Sequence, residues 1–241
     1  MNFILDVHCH TVASSHAYST IAENAAHAAS IGLTHIAITD HGPDMPGGAH
    51  IYAFANQRII PDYIHGVRVF KSAEVNILDE NGKVDVHSEF LKRMDFAIAS
   101  MHRSVFKPTT KEIHTKAMVN VMELPYINIL GHPCDIHYDF DMEAVVAAAA
   151  RTHTIIEINN ASLSPLSVRY DGDETHRQLL ELCKTYSVPI IASSDAHYAT
   201  LVGDVAIAKA LIQEVGLPEE QVLNTSAERF MAAVARKRGN K

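Results

Sequence analysis

The sequence predicts an α/β fold in which short parallel strands alternate with helices and close, or nearly close, into a TIM-like βα barrel. Two observations carry this. Apolar runs of strand length at 3–5, 36–38, 67–70, 96–99, 127–130 and 190–192 are each followed shortly by metal-ligand residues: His8-Cys9-His10, Asp40-His41, Glu74, His102, His132 and Asp195-Ala196-His197. Segments of helical periodicity separate the runs. Side chains capable of chemistry, recurring at strand C-terminal ends, mark a barrel whose active face is built from βα loops.

The elements follow in order. Thr20-Ile21-Ala22-Glu23 matches a capping box and opens an Ala-rich helix to residue 30, which Gly32 ends. A strand is expected at 35–39. The loop after His41 is long and carries Gly42, Pro43, Pro46, Gly47 and Gly48, ahead of a short helical stretch at 52–58; long βα loops usually serve a site. The strand beginning at Val67 is expected to run to residue 78 and, through the Asp79-Glu80-Asn81-Gly82 turn, into a returning strand at 83–86. Helices are expected at 110–122, 141–152, 173–186, 204–215 and 218–236, the last with a break near Asn224, and the basic tail after Arg236 is expected to fray. Residues 154–158 add a strand, for roughly seven in all, short of the eight of a regular barrel.

A chain of 241 residues, 47% hydrophobic and 20% charged, buries a substantial core without a second domain, so residues 1–241 are expected to form one. No secretory leader pattern and no apolar run of membrane-spanning length occurs. The three cysteines, Cys9, Cys134 and Cys183, are odd in number and irregular in spacing, which suits reduced thiols. A cytoplasmic protein without a membrane partner is expected. The net charge of −8 argues against a nucleic-acid partner, which needs a basic surface. It leaves a small phosphorylated substrate open, because bound cations make a site mouth locally positive.

His8 and His10 alternate on extended chain and reach one cavity while Cys9 faces away. By itself an HxH is as readily two polar residues near a loop as a ligand pair, and the other clusters remove that parity. Asp40-His41 places an imidazole beside a carboxylate suited to orienting its neighbours, although alone the pair fits a helix cap equally well. Glu74 lies in a mostly apolar strand, where an acid carries a large burial cost unless a cation neutralises it. His102 and His132 occupy strand exits, and Asp195 and His197 alternate toward one side. His16, in a Ser-rich loop, has weaker local support. Seven histidines and at least two acids exceed the three or four protein ligands of one zinc, so a multinuclear centre follows. Imidazole and carboxylate without thiolate suit zinc, manganese or iron, with zinc the expected metal. His50 and His137 lie in βα loops within reach of a substrate and stay outside the ligand set.

The ordered set Asp6-Val7-His8-Cys9-His10, Thr39-Asp40-His41-Gly42, Glu74, His102, Gly131-His132-Pro133 and Ser194-Asp195-Ala196-His197 closely resembles the PHP superfamily of metal-dependent phosphoesterases, named for polymerase and histidinol phosphatase. Residues 11–20 and 37–45, with Glu157-Ile158-Asn159-Asn160, resemble its YcdX-type phosphatases. The resemblance implies a distorted (βα)7 barrel holding three divalent metal ions, with His8, His10, His16, His41, Glu74, His102, His132, Asp195 and His197 at all nine ligand positions. It implies Glu74 as a bridge, with His8, His10, Glu74 and Asp195 around one ion, His16, His41 and His197 around a second, and Glu74, His102 and His132 around the third. It also implies a homotrimer. The expected reaction is hydrolysis of a phosphate monoester by a metal-activated water, without a protein nucleophile, and the sequence names no general acid. Arg58 and Arg169 are the candidate phosphate clamps, each with a surface ion pair as the plain alternative. Residues 161–175 depart from the YcdX-type pattern, which puts substrate preference apart from that group.

Three other functions fit parts of the pattern. A PHP-type phosphodiesterase or exonuclease would need a basic groove. An amidohydrolase-like C–N hydrolase often uses a bridging carboxylated lysine, where this chain offers Glu74. A non-catalytic metal-binding protein would not need several ions beneath long loops.

Overall fold

The alternation of apolar runs and amphipathic segments folds as one parallel circuit in the computed structural model, which describes residues 1–170 and 172–239. Strands β1 (Leu5–Asp6), β2 (His35–Ile38) and β4 (Val67–Lys71) are parallel neighbours, with β3 (Tyr63–Ile64) antiparallel on β4. Strands β5 (Glu74–Asn76), β6 (Ile98–Ser100), β7 (Ile129–Leu130), β8 (Ile155–Asn159) and β9 (Ile190–Ser193) form a second parallel set. Single parallel bridges, His41 to Glu74 and Cys9 to Ala196, join the two sets at both edges. The second is reinforced by a 2.8 Å bond from His10 N–H to Ala196 C=O. With β4 and β5 counted as two halves of one strand, the circuit has seven strands, the distorted (βα)7 barrel expected.

The expected continuous strand at 67–78 is instead broken between Lys71 and Glu74, because the chain changes neighbours there: β4 pairs with β2, whereas β5 pairs with β6. Ser72 bridges the junction, its hydroxyl donating to Phe96 C=O at 2.9 Å while its own carbonyl accepts Gln57 Nε2 at 2.6 Å. The expected return strand at 83–86 is reduced to one antiparallel bridge, Ile77 to Val84. The Asp79 carboxylate captures the Asn81 and Lys83 N–H groups and closes a loop rather than a ladder. A hairpin the patterning did not mark joins β3 to β4 through His65 and Gly66, both left-handed (φ 52° and 79°), as a two-residue primed turn demands.

Helices α1 (Ile21–Ser30), α2 (Ile51–Ala55), α3 (Ser88–Leu91), α4 (Lys111–Val121), α5 (Met142–Thr152), α6 (Asp173–Tyr186) and α7 (Ala206–Val215) connect the strands. The Thr20/Glu23 capping box forms, and Thr110 and Asp141 cap α4 and α5. The expected helix at 218–236 becomes two 3-10 turns followed by α8 (Ala227–Gly239). Asn224 causes the break: its side chain accepts Ala192 N–H at 2.8 Å and donates to Ala192 C=O at 2.7 Å and Leu5 C=O at 3.2 Å, stitching β9 to β1 at the barrel base. The expected fraying after Arg236 does not occur through Gly239. Lys237 donates to Met122 C=O, and Arg238 donates to Met94 C=O at 2.8 Å. Asn240 and Lys241 lie outside the described residues.

One apolar cluster takes Leu5, Ala37, Phe70, Ile98, Ile129, Ile155 and Ile191 from around the circuit together with Phe230 and Val234 of α8, so it fills the barrel interior. Phe230 is the plug, its ring 5.1 Å from Phe96 and 5.9 Å from Phe70. The intervening strand residues, such as Ala97, Ala99, Ile156 and Ile158, face the helices in a separate core. No helix among the described residues is long and apolar enough to cross a membrane.

Candidate metal centre

Two-residue steps up the inward faces lead from that apolar interior to the polar mouth: Ala37 to Thr39 and His41, Ile98 to Ser100 and His102, Ile155 to Glu157, and Ile191 to Ser193, Asp195 and His197. Glu74 stands fully buried at the start of β5. Its Oε1 lies 2.9 Å from His132 Nε2 and 3.3 Å from His102 Nε2. Its Oε2 lies 2.6 Å from His41 Nδ1, 3.4 Å from His8 Nε2 and 3.6 Å from His10 Nε2. Asp195 Oδ1 completes the enclosure at 3.1 Å from His10 Nε2 and 3.5 Å from His8 Nε2. His197 stacks on His10 with ring centroids 4.2 Å apart, and His16 lies 4.7 Å from His197 and 5.0 Å from His41. All nine sequence-predicted ligand candidates meet in one cluster.

The donor atoms fit cations. His8 Nε2, His10 Nδ1, His41 Nδ1, Glu74 Oε2, His102 Nε2 and His197 Nε2 are buried without a hydrogen-bond partner, a condition that costs roughly 1–3 kcal/mol per group when nothing else satisfies it. His41 Nδ1 and Glu74 Oε2 approach to 2.6 Å outside hydrogen-bond geometry, as two lone pairs aimed at a common ion do. Metal-compatible triads are His8/His10/Glu74, His10/His41/His197 and His41/Glu74/His102, with ligand atoms within 4.8 Å of one another. The first contains three of the four residues expected around one ion, without Asp195. In the second His10 stands where His16 was expected, since His16 sits outward on an exposed loop; in the third His41 stands where His132 was expected.

Electrostatics and backbone reflect the crowding. Burial would raise the Glu74 and Asp195 carboxyls, yet His102, His8 and His41 around the first, and Arg169 and His8 beside the second, hold both well below the usual range. Burial and the neighbouring His41 and His197 push His10 well down, which favours the neutral imidazole a cation would need. Asp195 and His132 adopt positive φ (56° and 22°), and unlike His65, His153 and Ser187 they do so outside a hairpin turn or helix C-cap. Gly131 makes room for the His132 turn, because a Cβ there would sit 2.1 Å from Ser100 Oγ.

Groups to which the sequence reading gave no orienting role hold the candidate ligands in place. Glu157, 1% exposed, receives His8 Nδ1 on Oε1 at 2.6 Å and His132 N–H on Oε2 at 2.6 Å. Asn76 Oδ1 accepts His102 Nδ1 at 2.7 Å, and Asp195 C=O accepts His197 Nδ1 at 2.9 Å. The contacts to His8, His102 and His197 place the imidazole proton on Nδ1 and leave Nε2 free for a cation, whereas that to His132 fixes its backbone. The signal for Glu157 was the one used for Glu74, an acid within an apolar strand. Asp40 does not touch an imidazole; it binds the Thr11 N–H and hydroxyl at 2.8 and 2.7 Å and the Ser14 hydroxyl at 2.8 Å, pinning the loop after β1.

The two candidate clamps part company. Arg169 donates from Nη2 to Asp195 Oδ2 at the edge of the cluster. Arg58 is not brought there. The chain after α2 runs down the outside of β4, so Arg58 lines a groove with Asp62, Arg68, Lys71 and Asp95 that contains no member of the histidine cluster.

Residues 6–164 match the PHP domain, and residues 173–218 match the PHP-associated domain, which contributes β9 with Asp195 and His197. The chain belongs to the PHP family. It is 41% identical over 238 residues to a "Probable phosphatase" of Acetivibrio thermocellus, covering 99% of this chain and 98% of that protein. A second "Probable phosphatase", from Caldanaerobacter subterraneus, is 42% identical over 239 residues, 99% of this chain and 93% of the relative. Among solved structures, the histidinol phosphate phosphatase of Lactococcus lactis, complexed with zinc, L-histidinol and phosphate, superposes with a TM-score of 0.62 at 18% identity, over 89% of this chain and 94% of that one. That likeness places this PHP chain among distorted TIM barrels.

Proposed function

We propose that this PHP chain is a cytoplasmic metal-dependent phosphatase, one domain over residues 1–241, that hydrolyses phosphate monoesters of small molecules at a centre of three divalent ions, zinc first. The supporting observation is Glu74, whose two oxygens face different sets of imidazoles while six buried donor atoms lack hydrogen-bond partners. Relatives named as phosphatases over nearly the whole chain support the reaction class, and zinc in the Lactococcus lactis enzyme supports the metal.

His8, His10, His16, His41, Glu74, His102, His132, Asp195 and His197 would hold the ions, with Glu74 as the bridge. Ions held there supply Lewis acidity toward phosphoryl oxygens and lower the pKa of a bound water toward 7. The chain's own part is preorganisation. Glu157 and Asn76 fix the tautomers of His8 and His102, and Arg169 holds Asp195 while keeping further N–H donors for a phosphoryl oxygen. The buried walls restrict water to the mouth. Against the amidohydrolase reading, the acid that faces imidazoles from both of its oxygens is Glu74, where that chemistry often uses a carboxylated lysine.

The test pairs elemental analysis with hydrolysis of p-nitrophenyl phosphate, on the native chain and on Glu74→Ala. Close to three metals per chain and turnover that vanishes in the variant are expected. Full metal occupancy without monoester turnover would sink the assignment and leave the metal site standing. The expected assembly is a homotrimer, which light scattering would overturn by returning a monomer mass.

A further inference from the structure

One arginine at the mouth has a built support but no counter-ion. Arg103 directly follows His102 on the loop between β6 and α4, and among the described residues it forms no ion pair. Its Nη1 instead donates to His137 Nε2 at 3.1 Å. His137 is itself oriented: Asp135, 7% exposed, accepts His137 Nδ1 at 2.7 Å and the His137 backbone N–H at 2.9 Å through the same oxygen. This fixes the proton on Nδ1 and the lone pair on Nε2. The imidazole therefore holds the guanidinium in place without neutralising it.

The contrast with the other clamps is chemical. Arg169 is already paired with Asp195, and Arg58 lines a different groove. The same loop also presents exposed Lys107 and contains no acid from residue 101 to 110, in a chain of net charge −8. His102 turns inward to Glu74 while Arg103, its neighbour, is exposed at the rim. A phosphoryl group held at the cluster would thus leave Arg103 to meet another part of the same molecule.

We propose that Arg103, held by the Asp135–His137 pair, is a specificity-determining residue that binds a second anionic group of the substrate, a carboxylate or another phosphate. The inference rests on the phosphatase reading and names its substrate class: phosphate monoesters that carry a further anion. Arg103 makes the contact; His137 and Asp135 are positioning residues.

Two substrate pairs test it on the metal-loaded full chain. Glycerate 3-phosphate against glycerol 3-phosphate differs by a carboxylate, and fructose 1,6-bisphosphate against fructose 6-phosphate differs by a phosphate. The expected result is a kcat/KM preference of about tenfold or more for the more anionic member of at least one pair, the size of a charge-assisted hydrogen bond. The pair that shows it tells carboxylate from phosphate. Arg103→Gln should abolish the preference through KM. His137→Ala should weaken it, and His137→Gln, which restores an acceptor, should recover part of it. Turnover of the members with a single anionic group and no preference in the native chain overturns this inference alone, as does an equal loss for both members of a pair in Arg103→Gln. No turnover on any monoester overturns the phosphatase reading and this inference together.

Discussion

The base and the mouth of the barrel are built on the same inward faces, two to four residues apart, and differ in everything else. At the base Ile98, Ile155 and Ile191 close on Phe230, whose ring contacts are apolar. At the mouth the same strands deliver His102, Glu157 and Asp195 into a cluster of imidazoles and carboxylates in which six buried ligand atoms have no hydrogen-bond partner. The base is complete as a folded object, whereas the mouth is complete only with cations in it. A substitution at the mouth should therefore cost metal and chemistry, and one at the base should cost stability.

The largest expected effect is at Glu74. Glu74→Gln keeps the shape and removes the charge that five imidazoles share, so bound metal should fall and monoester turnover should drop about 10³-fold or more, the scale of charge stabilisation that metal ions supply. Elemental analysis and p-nitrophenyl phosphate kinetics read both, and full metal content with native rates would refute the bridging role. The opposite break comes at the base. Phe230→Ala should cost about 3–5 kcal/mol of unfolding free energy through the cavity it leaves, read by urea denaturation. Metal per folded chain should stay unchanged; a parallel loss of metal would show that base and mouth are not separable.

Glu157 sharpens the boundary, because it belongs to the mouth without belonging to the ligand set. Glu157→Gln weakens the contact that fixes the His8 tautomer and should lower metal affinity or turnover about 10- to 100-fold. Competition with a chromogenic chelator measures it, and an unaltered affinity would reduce Glu157 to packing.

How much of this was legible in the sequence divides along the same line. The mouth was readable because its residues are chemically improbable where they stand: His8, His41, Glu74, His102 and Asp195 each interrupt apolar surroundings, and the ligand motifs keep their order along the chain. Helices with caps were readable for a local reason, as at Thr20/Glu23 and Asp141. What escaped depends on distant partners. The break between β4 and β5 reflects a change of neighbouring strand, and the ordered end of α8 reflects docking of Lys237 and Arg238 onto Met122 and Met94. Arg58 was misplaced for the same reason, since helical periodicity does not say on which side of β4 the following turn descends. Glu157 carried the signal of Glu74 but lacked a neighbouring ligand motif to draw attention to it.

The last prediction leaves activity untouched and tests whether burial or charge governs titration in the two regions. At the mouth burial should raise Glu74 and Asp195, but imidazoles and Arg169 overrule it. Cys183, on α6 and fully buried in the wall between helices and strands, has no such company, and burial alone pushes its thiol from 9.0 to about 12. The folded chain then binds a proton that the unfolded chain releases between those values. The contribution to stability is intact below pH 9 and is lost as pH rises toward 12, at about 1.4 kcal/mol per pH unit. Cys183→Ala removes the titrating group, so its unfolding free energy should fall less steeply than that of the native chain over this window. Cys9 is raised by burial in the same direction and keeps part of the slope in the variant. Parallel slopes for the two proteins would mean that water or a counter-charge reaches Cys183, and that the wall is less apolar than its packing implies.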